Sequence, residues 1–437
     1  MLNWNNKDYS WNDFEKLSLE WFDELISAKP GEKVLLISDE KFDKMQFIIA
    51  CLHKNIIGSL LSTEDLDRIK LNNLQNIFDK LIISKKIKPP QKKQPAKITK
   101  KYYTIVGDTS EKQMSWGWMF FTSGTRGVKK LVCVDKTTMN WRVENDRNIF
   151  KLNRDSNSLC CLSLNHELGF YQFIASYGYV KKLFVMNIIS AFHLLTEMNK
   201  KQITHYVATP RTWIQIEKEN LAKKMKKYLD QTKIMTISGG EITECLQQKI
   251  LKFKPEELTV IKTYGQTETS RSLWTVLEKN TVGVTGKVVE GVQVTIGEDN
   301  ELYHSGAGMM NAFYRVNEGE LIKASKTIRT GDRFIKIGEY YKFCGRADDI
   351  VKINDLRFSL VTLQNLLVDE LKVNFICDYY KNKLFIIYQD DVEIDEVKIK
   401  NILPSQITEF EVICASFEFN SNGKINREKL REKYVDR

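Results

Sequence analysis

Apolar residues recur at helical spacing over residues 11–29, at Phe14, Leu17, Leu19, Trp21, Phe22 and Leu25, which predicts an amphipathic helix. Lys33-Val-Leu-Leu-Ile-Ser38 then reads as a buried strand, and a second amphipathic segment spans 41–55. The alternation returns around Ser158–Leu164, Phe170–Tyr179, Lys182–Val185, Thr204–Ala208 and Lys233–Ser238, the pattern of layered α/β sheets with helices packed on them. From 282 to 345 short segments are punctuated by glycines such as Gly283, Gly291, Gly306, Gly319, Gly331 and Gly345, which predicts a mainly antiparallel β region. From Asp348 onward, strands are expected over 374–379, 383–388 and 412–419 with helical stretches between them, a small α+β unit. No internal repeat is visible.

At 437 residues the chain exceeds what one hydrophobic core usually supports, so two or more domains are expected. Hydrophobic content of 42% beside 28% charged residues is that of a globular protein in water. No apolar run reaches the length of a membrane span, and the first residues lack the basic-then-apolar order of a signal peptide. The expected location is cytoplasmic, with no membrane span. The eight cysteines are scattered without ligand spacing, so neither zinc nor disulfides are expected.

The formal charge of +10 follows general lysine usage, and no nucleic-acid partner is expected. One stretch, Ser84–Lys101, concentrates eight lysines and three of the seven prolines. Residues 85–101 read as an extended solvated linker or loop. No aromatic residues interleave the lysines, as a single-strand binder would want.

Candidate chemistry begins in Met119-Phe-Phe-Thr-Ser-Gly-Thr-Arg-Gly-Val-Lys-Lys-Leu-Val132, a glycine- and hydroxyl-rich turn between apolar runs. Gly124 and Gly127 let the backbone approach an anion, Thr122, Ser123 and Thr125 add hydroxyl donors, and Lys129 or Lys130 supplies a cation. The loop fails the Walker pattern, whose lysine directly follows the second glycine. Four further segments follow in order: Ile237-Ser-Gly-Gly-Glu241, Thr263-Tyr-Gly-Gln-Thr-Glu268, Thr330-Gly-Asp332 with Gly345-Arg-Ala-Asp-Asp349, and Asn422-Gly-Lys424.

With these segments the chain resembles the adenylate-forming superfamily of acyl-CoA synthetases, luciferase and peptide-synthetase adenylation domains, over roughly residues 115 to 430. The loop at 122–130 is similar to that family's phosphate signature, with Arg126 and Lys129 as departures. The resemblance implies an α/β fold. It further implies a large N-terminal adenylation domain of layered sheets with a β-rich subdomain, residues 1–347, joined by a hinge at Asp348 to a small mobile α+β C-terminal domain, residues 348–437.

It also implies roles. Thr122, Ser123, Gly124, Thr125, Gly127 and Lys130 would face the phosphates of ATP, and Glu268 would hold Mg2+. Tyr264 would stack on adenine, Gly239, Gly240 and Glu241 would line its edge, and Thr267 would reach a phosphate oxygen. Asp332 would accept the ribose hydroxyls beside Arg346. His166, in a His-x-x-Gly pattern, would line the acyl pocket with Gly240 and Gly265, and Lys424 would bridge carboxylate and α-phosphate. The implied catalytic residues are Lys424, His166 and Thr267.

Glu167 is the only acid between 158 and 180, and the family's ammonium-binding aspartate has no counterpart. The substrate expected is therefore a small carboxylic acid with an apolar body. Asp355 replaces the glycine that lines the family's thiol tunnel, and Leu360 and Thr362 stand where Pro and Glu are usual. The leading expectation is an AMP-forming acid–thiol ligase delivering its acyl group to CoA or to the phosphopantetheine of an acyl or peptidyl carrier protein. The alternatives are transfer to an amine and a non-catalytic ATP- or acyl-binding homologue.

Overall fold

The computed structural model describes residues 1–66, 69–85, 97–99, 102–106, 116–122, 130–353, 356–371, 373, 375–381, 383–388, 394–415, 417 and 427–435. Two nine-stranded sheets dominate these residues. In the first, Asn157–Cys160, Lys182–Val185, His205–Ala208, Ile234–Ile237 and Thr259–Gln266 run parallel, and Thr259–Gln266 turns back into Ser270–Val276. In the second, Ile57–Leu61, Lys33–Ile37 and Lys80–Ser84 are parallel, and Trp116–Thr122 pairs with Lys130–Asp135 as a hairpin.

Parallel neighbours require crossovers, and helix Lys41–Lys54 supplies one between Lys33–Ile37 and Ile57–Leu61. It ends at Asn55, whose φ of 56° is a left-handed stop. The helix expected over 11–29 runs Trp11–Leu25, started by Ser10 accepting from the Asp13 amide, with Phe14, Ser18, Phe22 and Leu25 on its buried face. Its shorter extent reflects the extended Ile26 ahead of Pro30.

Helices Lys41–Lys54, Lys136–Ile149 and Glu167–Ser176 contribute to one aromatic-rich core with both sheets. At its centre Trp118 and Phe170 lie with ring centroids 4.5 Å apart. Gly58 is required there, since a Cβ would fall 2.3 Å from the Trp118 ring. At the rim, Lys41 Nζ donates to the carbonyls of Cys161 at 2.9 Å and Met186 at 3.0 Å. The lysine joins the carboxyl end of Lys33–Ile37 to those of Asn157–Cys160 and Lys182–Val185, the edge where open α/β sheets place ligands.

The glycine-punctuated region forms an antiparallel sheet of Val292–Ile296, Glu301–Gly306, Thr327–Ile337 and Tyr340–Arg346. Beyond it come the hairpin Ile350–Ile353 and Leu356–Ser359, helix Leu360–Leu371, and a three-stranded sheet of Phe375–Tyr380, Lys383–Tyr388 and Phe410–Cys414. The last strand begins two residues before the expected start and ends at Cys414. Leu363, Leu367, Phe375, Leu384, Ile386 and Ile399 form the separate core of this small α+β part.

Within the lysine-rich stretch, Lys97–Ile98 pairs with Tyr103 and Thr104 at the edge of the second sheet, so that end is strand where a linker is expected. Residues 86–96 lie outside the described residues. Among the described residues no helix is long and apolar enough to cross a membrane.

Candidate active site

Strand Thr259–Gln266 enters the site held by Lys262, whose Nζ donates to Gln247 Oε1 at 2.7 Å and to the carbonyls of Thr281 at 2.8 Å and Val284 at 2.7 Å. Burial lowers this lysine to about 8. Two residues on, the pairing shifts register between Tyr264 and Gly265. A Cβ on Gly265 would sit 1.9 Å from the Ser270 carbonyl oxygen, so only glycine lets the returning strand approach this closely. The resemblance alone assigns Gly265 to the acyl pocket. In the structure the hairpin itself demands it.

Beyond the bulge three donors converge on Asp332. The Tyr264 hydroxyl donates to Oδ2 at 2.7 Å, Gln266 Nε2 to the same oxygen at 2.7 Å, and Arg346 Nη1 to Oδ1 at 2.9 Å. Gln266 Nε2 also reaches the Thr330 carbonyl at 2.8 Å. Asp332 and Arg346 face each other across the Thr327–Ile337 and Tyr340–Arg346 pairing. Gly331, at φ 72°, leaves room for the Arg346 guanidinium, which a Cβ would approach to 3.1 Å. Burial first, then the Asp332 charge, pushes the Tyr264 phenol well above its ordinary value, so it remains a neutral donor. Tyr264, Asp332 and Arg346 are thus brought together from separate segments, and Gln266 joins them without having been singled out. Its position two residues after Tyr264 on one strand is the signal that could have found it.

The turn after strand Ile234–Ile237 carries Gly239, at φ 84°, and Gly240, both exposed. Cβ atoms there would meet Leu168 at 3.5 Å and Pro210 at 3.3 Å respectively. This sets the turn against the start of helix Glu167–Ser176, whose N-cap is His166. Gly169 is fixed by a different contact, for its Cβ would lie 2.2 Å from the Ser163 carbonyl oxygen. Glu241 Oε1 accepts from Asn365 Nδ2 of helix Leu360–Leu371 at 3.0 Å, so this residue contacts the C-terminal part.

Thr267 and Glu268 occupy the turn joining the two strands. The Thr267 carbonyl accepts from Arg142 Nη1 at 3.1 Å, and the Glu268 carbonyl from the Met310 amide at 2.7 Å. Thr122 pairs with Lys130 at the end of the hairpin, on either side of residues 123–129. Lys130 Nζ lies 5.1 Å from the Phe313 ring centroid. Asp348 lies in the single turn Ala347–Asp349 between Tyr340–Arg346 and Ile350–Ile353. Ser123, Gly124, Thr125, Gly127, Lys129, Asp355 and Lys424 lie outside the described residues.

Glu167 is buried, with Oε2 2.7 Å from Arg271 Nη1 and Oε1 3.8 Å from Arg142 Nη1. Arg271 Nη2 also lies 3.4 Å from Asp146 Oδ2. Burial pushes the Asp146 carboxyl up to about 7, while Arg271 opposes this. Arg142, Asp146 and Arg271 carry no motif, and only the helical spacing of Arg142 and Asp146 places those two on one face.

Residues 41–314 match the family described as AMP-binding enzyme. The chain belongs to that family. This AMP-binding enzyme has the fold of solved adenylate-forming proteins. The o-succinylbenzoate CoA synthetase MenE from Bacillus subtilis, in complex with its acyl-adenylate intermediate, gives a TM-score of 0.75 at 15% identity, covering 98% of this chain and 94% of that one. ATP-bound MatB from Rhodopseudomonas palustris gives 0.77 at 12% identity over 100% and 95%. The amide bond synthetase McbA from Marinactinospora thermotolerans gives 0.74 at 13% over 99% and 96%. No curated protein matches this AMP-binding enzyme in sequence.

Proposed function

We propose that this chain activates a small carboxylic acid with ATP and passes the acyl group to the thiol of CoA or of a phosphopantetheine-bearing carrier protein. The observation that carries the reading is the convergence of Tyr264, Gln266 and Arg346 on Asp332. It lies at the end of the strand that leads into the Thr267–Glu268 turn, in a chain of the AMP-binding family. In the first half-reaction a carboxylate oxygen bonds to the α-phosphorus of ATP while the bond from that phosphorus to the bridging oxygen breaks, releasing pyrophosphate.

Asp332, oriented by its three donors, offers a fixed acceptor for ribose hydroxyls. Tyr264, whose ring packs edge-on to Phe334 with centroids 4.8 Å apart, would bound the adenine, and the exposed Gly239–Gly240 turn would offer backbone groups to its edge. Glu268 is a hard oxygen ligand of the kind magnesium takes when substrate phosphates complete its shell. Bound there, the ion would neutralise charge on the phosphates. MenE has been solved with ATP and magnesium. Thr122, Ser123, Gly124, Thr125, Gly127 and Lys130 are proposed to hold the phosphates, and Lys424 to bridge carboxylate and α-phosphate. His166, with Gly240 and Gly265, would bound the acid. The proposed domain boundary falls between 347 and 348, with Asp348 as hinge.

Transfer of the acyl group to an amine is the second reading, and Asp355 favours it. A carboxylate at the position of the family's tunnel glycine would crowd and electrostatically oppose a pantetheine arm. A panel of carboxylic acids assayed for pyrophosphate exchange, then for AMP release with CoA, carrier protein or amines, tests both. Asp355→Gly is expected to raise thioester formation with CoA while leaving pyrophosphate exchange nearly unchanged. Wild type using CoA as fast as it adenylates, with the variant no faster, contradicts the tunnel argument.

A further inference from the structure

Four charged side chains, Arg142, Asp146, Glu167 and Arg271, are at most 5% exposed and lie directly beneath the proposed adenylation machinery. Their places in the chain are specific. Glu167 follows His166, and Arg271 stands three residues after Glu268. Arg271 Nη1 grips Glu167 Oε2 at 2.7 Å, and Ser270 Oγ donates to Glu167 Oε1 at 3.4 Å. Arg142 donates from Nε to the Gly308 carbonyl at 2.9 Å and from Nη1 to the Thr267 carbonyl at 3.1 Å. The head of one helix and the turn of a hairpin about a hundred residues later in the chain are thereby tied through charged hydrogen bonds.

Stability alone is a poor account of this cluster. Taking an ion out of water costs several kcal/mol, and well-packed apolar residues of similar volume often serve a core as well or better. Arg142 Nη2, Asp146 Oδ1 and Arg271 Nε have no hydrogen-bond partner among the described residues, so the cluster does not fully satisfy its own polar groups. What charged hydrogen bonds supply, and apolar contact does not, is direction. The Thr267 carbonyl is held at a set point, and Ser270, at φ 58°, is kept in a left-handed conformation costly for a residue with a side chain.

We infer that the Arg271–Glu167 pair, with Arg142, is a strut that fixes His166 relative to the Thr267–Glu268 turn, making Glu167 and Arg271 positioning residues for adenylation. The inference rests on the proposed function of the site above it. Held this way, the groups proposed to bound the acid and those proposed to meet the phosphates keep one separation whether or not substrate is present. Catalysis by orientation depends on such a separation, and a misplacement of about 1 Å can cost on the order of 100-fold in rate.

The double variant Glu167→Gln/Arg271→Met removes both charges at near-constant volume. It is expected to fold with a lowered thermal midpoint, because buried Asp146 loses its Arg271 partner, to bind ATP with little change, and to lose on the order of 100-fold in the kcat of pyrophosphate exchange. Amide hydrogen exchange over 264–270 and 164–168 should accelerate in both segments together. Should the double variant fail to fold, Glu167→Asp, which keeps the charge and withdraws it by one methylene, is expected to fold, to lose about tenfold in kcat, and to loosen the same amides. A folded variant with unchanged kcat and unchanged exchange in both segments overturns the strut. If wild type shows no pyrophosphate exchange with any acid, the proposed function fails, and the amide exchange still decides whether the two segments are coupled.

Discussion

The Tyr264 hydroxyl donates to Asp332 Oδ2 at 2.7 Å across 68 residues of sequence. Breaking this bond tests whether the cluster matters to the fold. Tyr264→Phe keeps the ring against Phe334 and removes a buried donor to a charged acceptor, a change worth about 1.5–3 kcal/mol. Because Gln266 and Arg346 still reach the carboxylate, a loss of about 1.5 kcal/mol in denaturant unfolding is expected, with weakened ATP binding. Unaltered stability and unaltered ATP affinity would count against the contact.

Gly265→Ala is expected to damage the site far more than an ordinary glycine replacement, because its Cβ would meet the Ser270 carbonyl oxygen at 1.9 Å. The two strands must separate or the bulge must move. Loss of about 3 kcal/mol or more follows from overpacking at backbone that cannot yield, with adenylation abolished. A variant as stable and as active as wild type would show that the hairpin does not close this tightly in solution.

Tyr264, Asp332 and Arg346 were legible because each sits in a short motif whose order along the chain is informative. Gln266 lies inside one of those motifs, and only its period-two relation to Tyr264 marks it. Glu167 is the harder case. Nothing near it in sequence announces Arg271, 104 residues away, and long-range pairing of buried charges leaves no local pattern. The edge strand Lys97–Ile98 was hidden for the same reason, since its pairing with Tyr103 and Thr104 is decided by the sheet rather than by the lysines and prolines around it. The alternation of helices and strands, by contrast, is written in the burial period of each element.

His205 and His304 supply a pH test. Burial lowers both imidazoles from 6.5 to about 4, with His304 Nδ1 placed 2.8 Å from Ser272 Oγ. A folded-state value below the unfolded one means stability that is present above about pH 6.5 and lost as pH falls toward 4. Asp146, raised to about 7, acts in the opposite direction over this window, so wild type should be compared with His304→Gln, in which Asp146 is retained. Thermal melts between pH 7.5 and pH 4.5 are expected to show wild type losing on the order of 2 kcal/mol more than the variant. Parallel curves would place His304 in water.

The most direct measurement is carboxylate-dependent exchange of labelled pyrophosphate into ATP, made on wild type and on Lys424→Ala across aliphatic, aromatic and amino acids. Wild type is expected to exchange with at least one carboxylic acid of apolar body. Lys424→Ala is expected to lose exchange by several orders of magnitude while keeping most of its ATP affinity, since a group acting chiefly in the transition state contributes to kcat rather than to binding. ATP binding without exchange for any acid, or exchange in Lys424→Ala equal to wild type, would contradict the assignment of this chain as an acyl-adenylate-forming enzyme working through these residues.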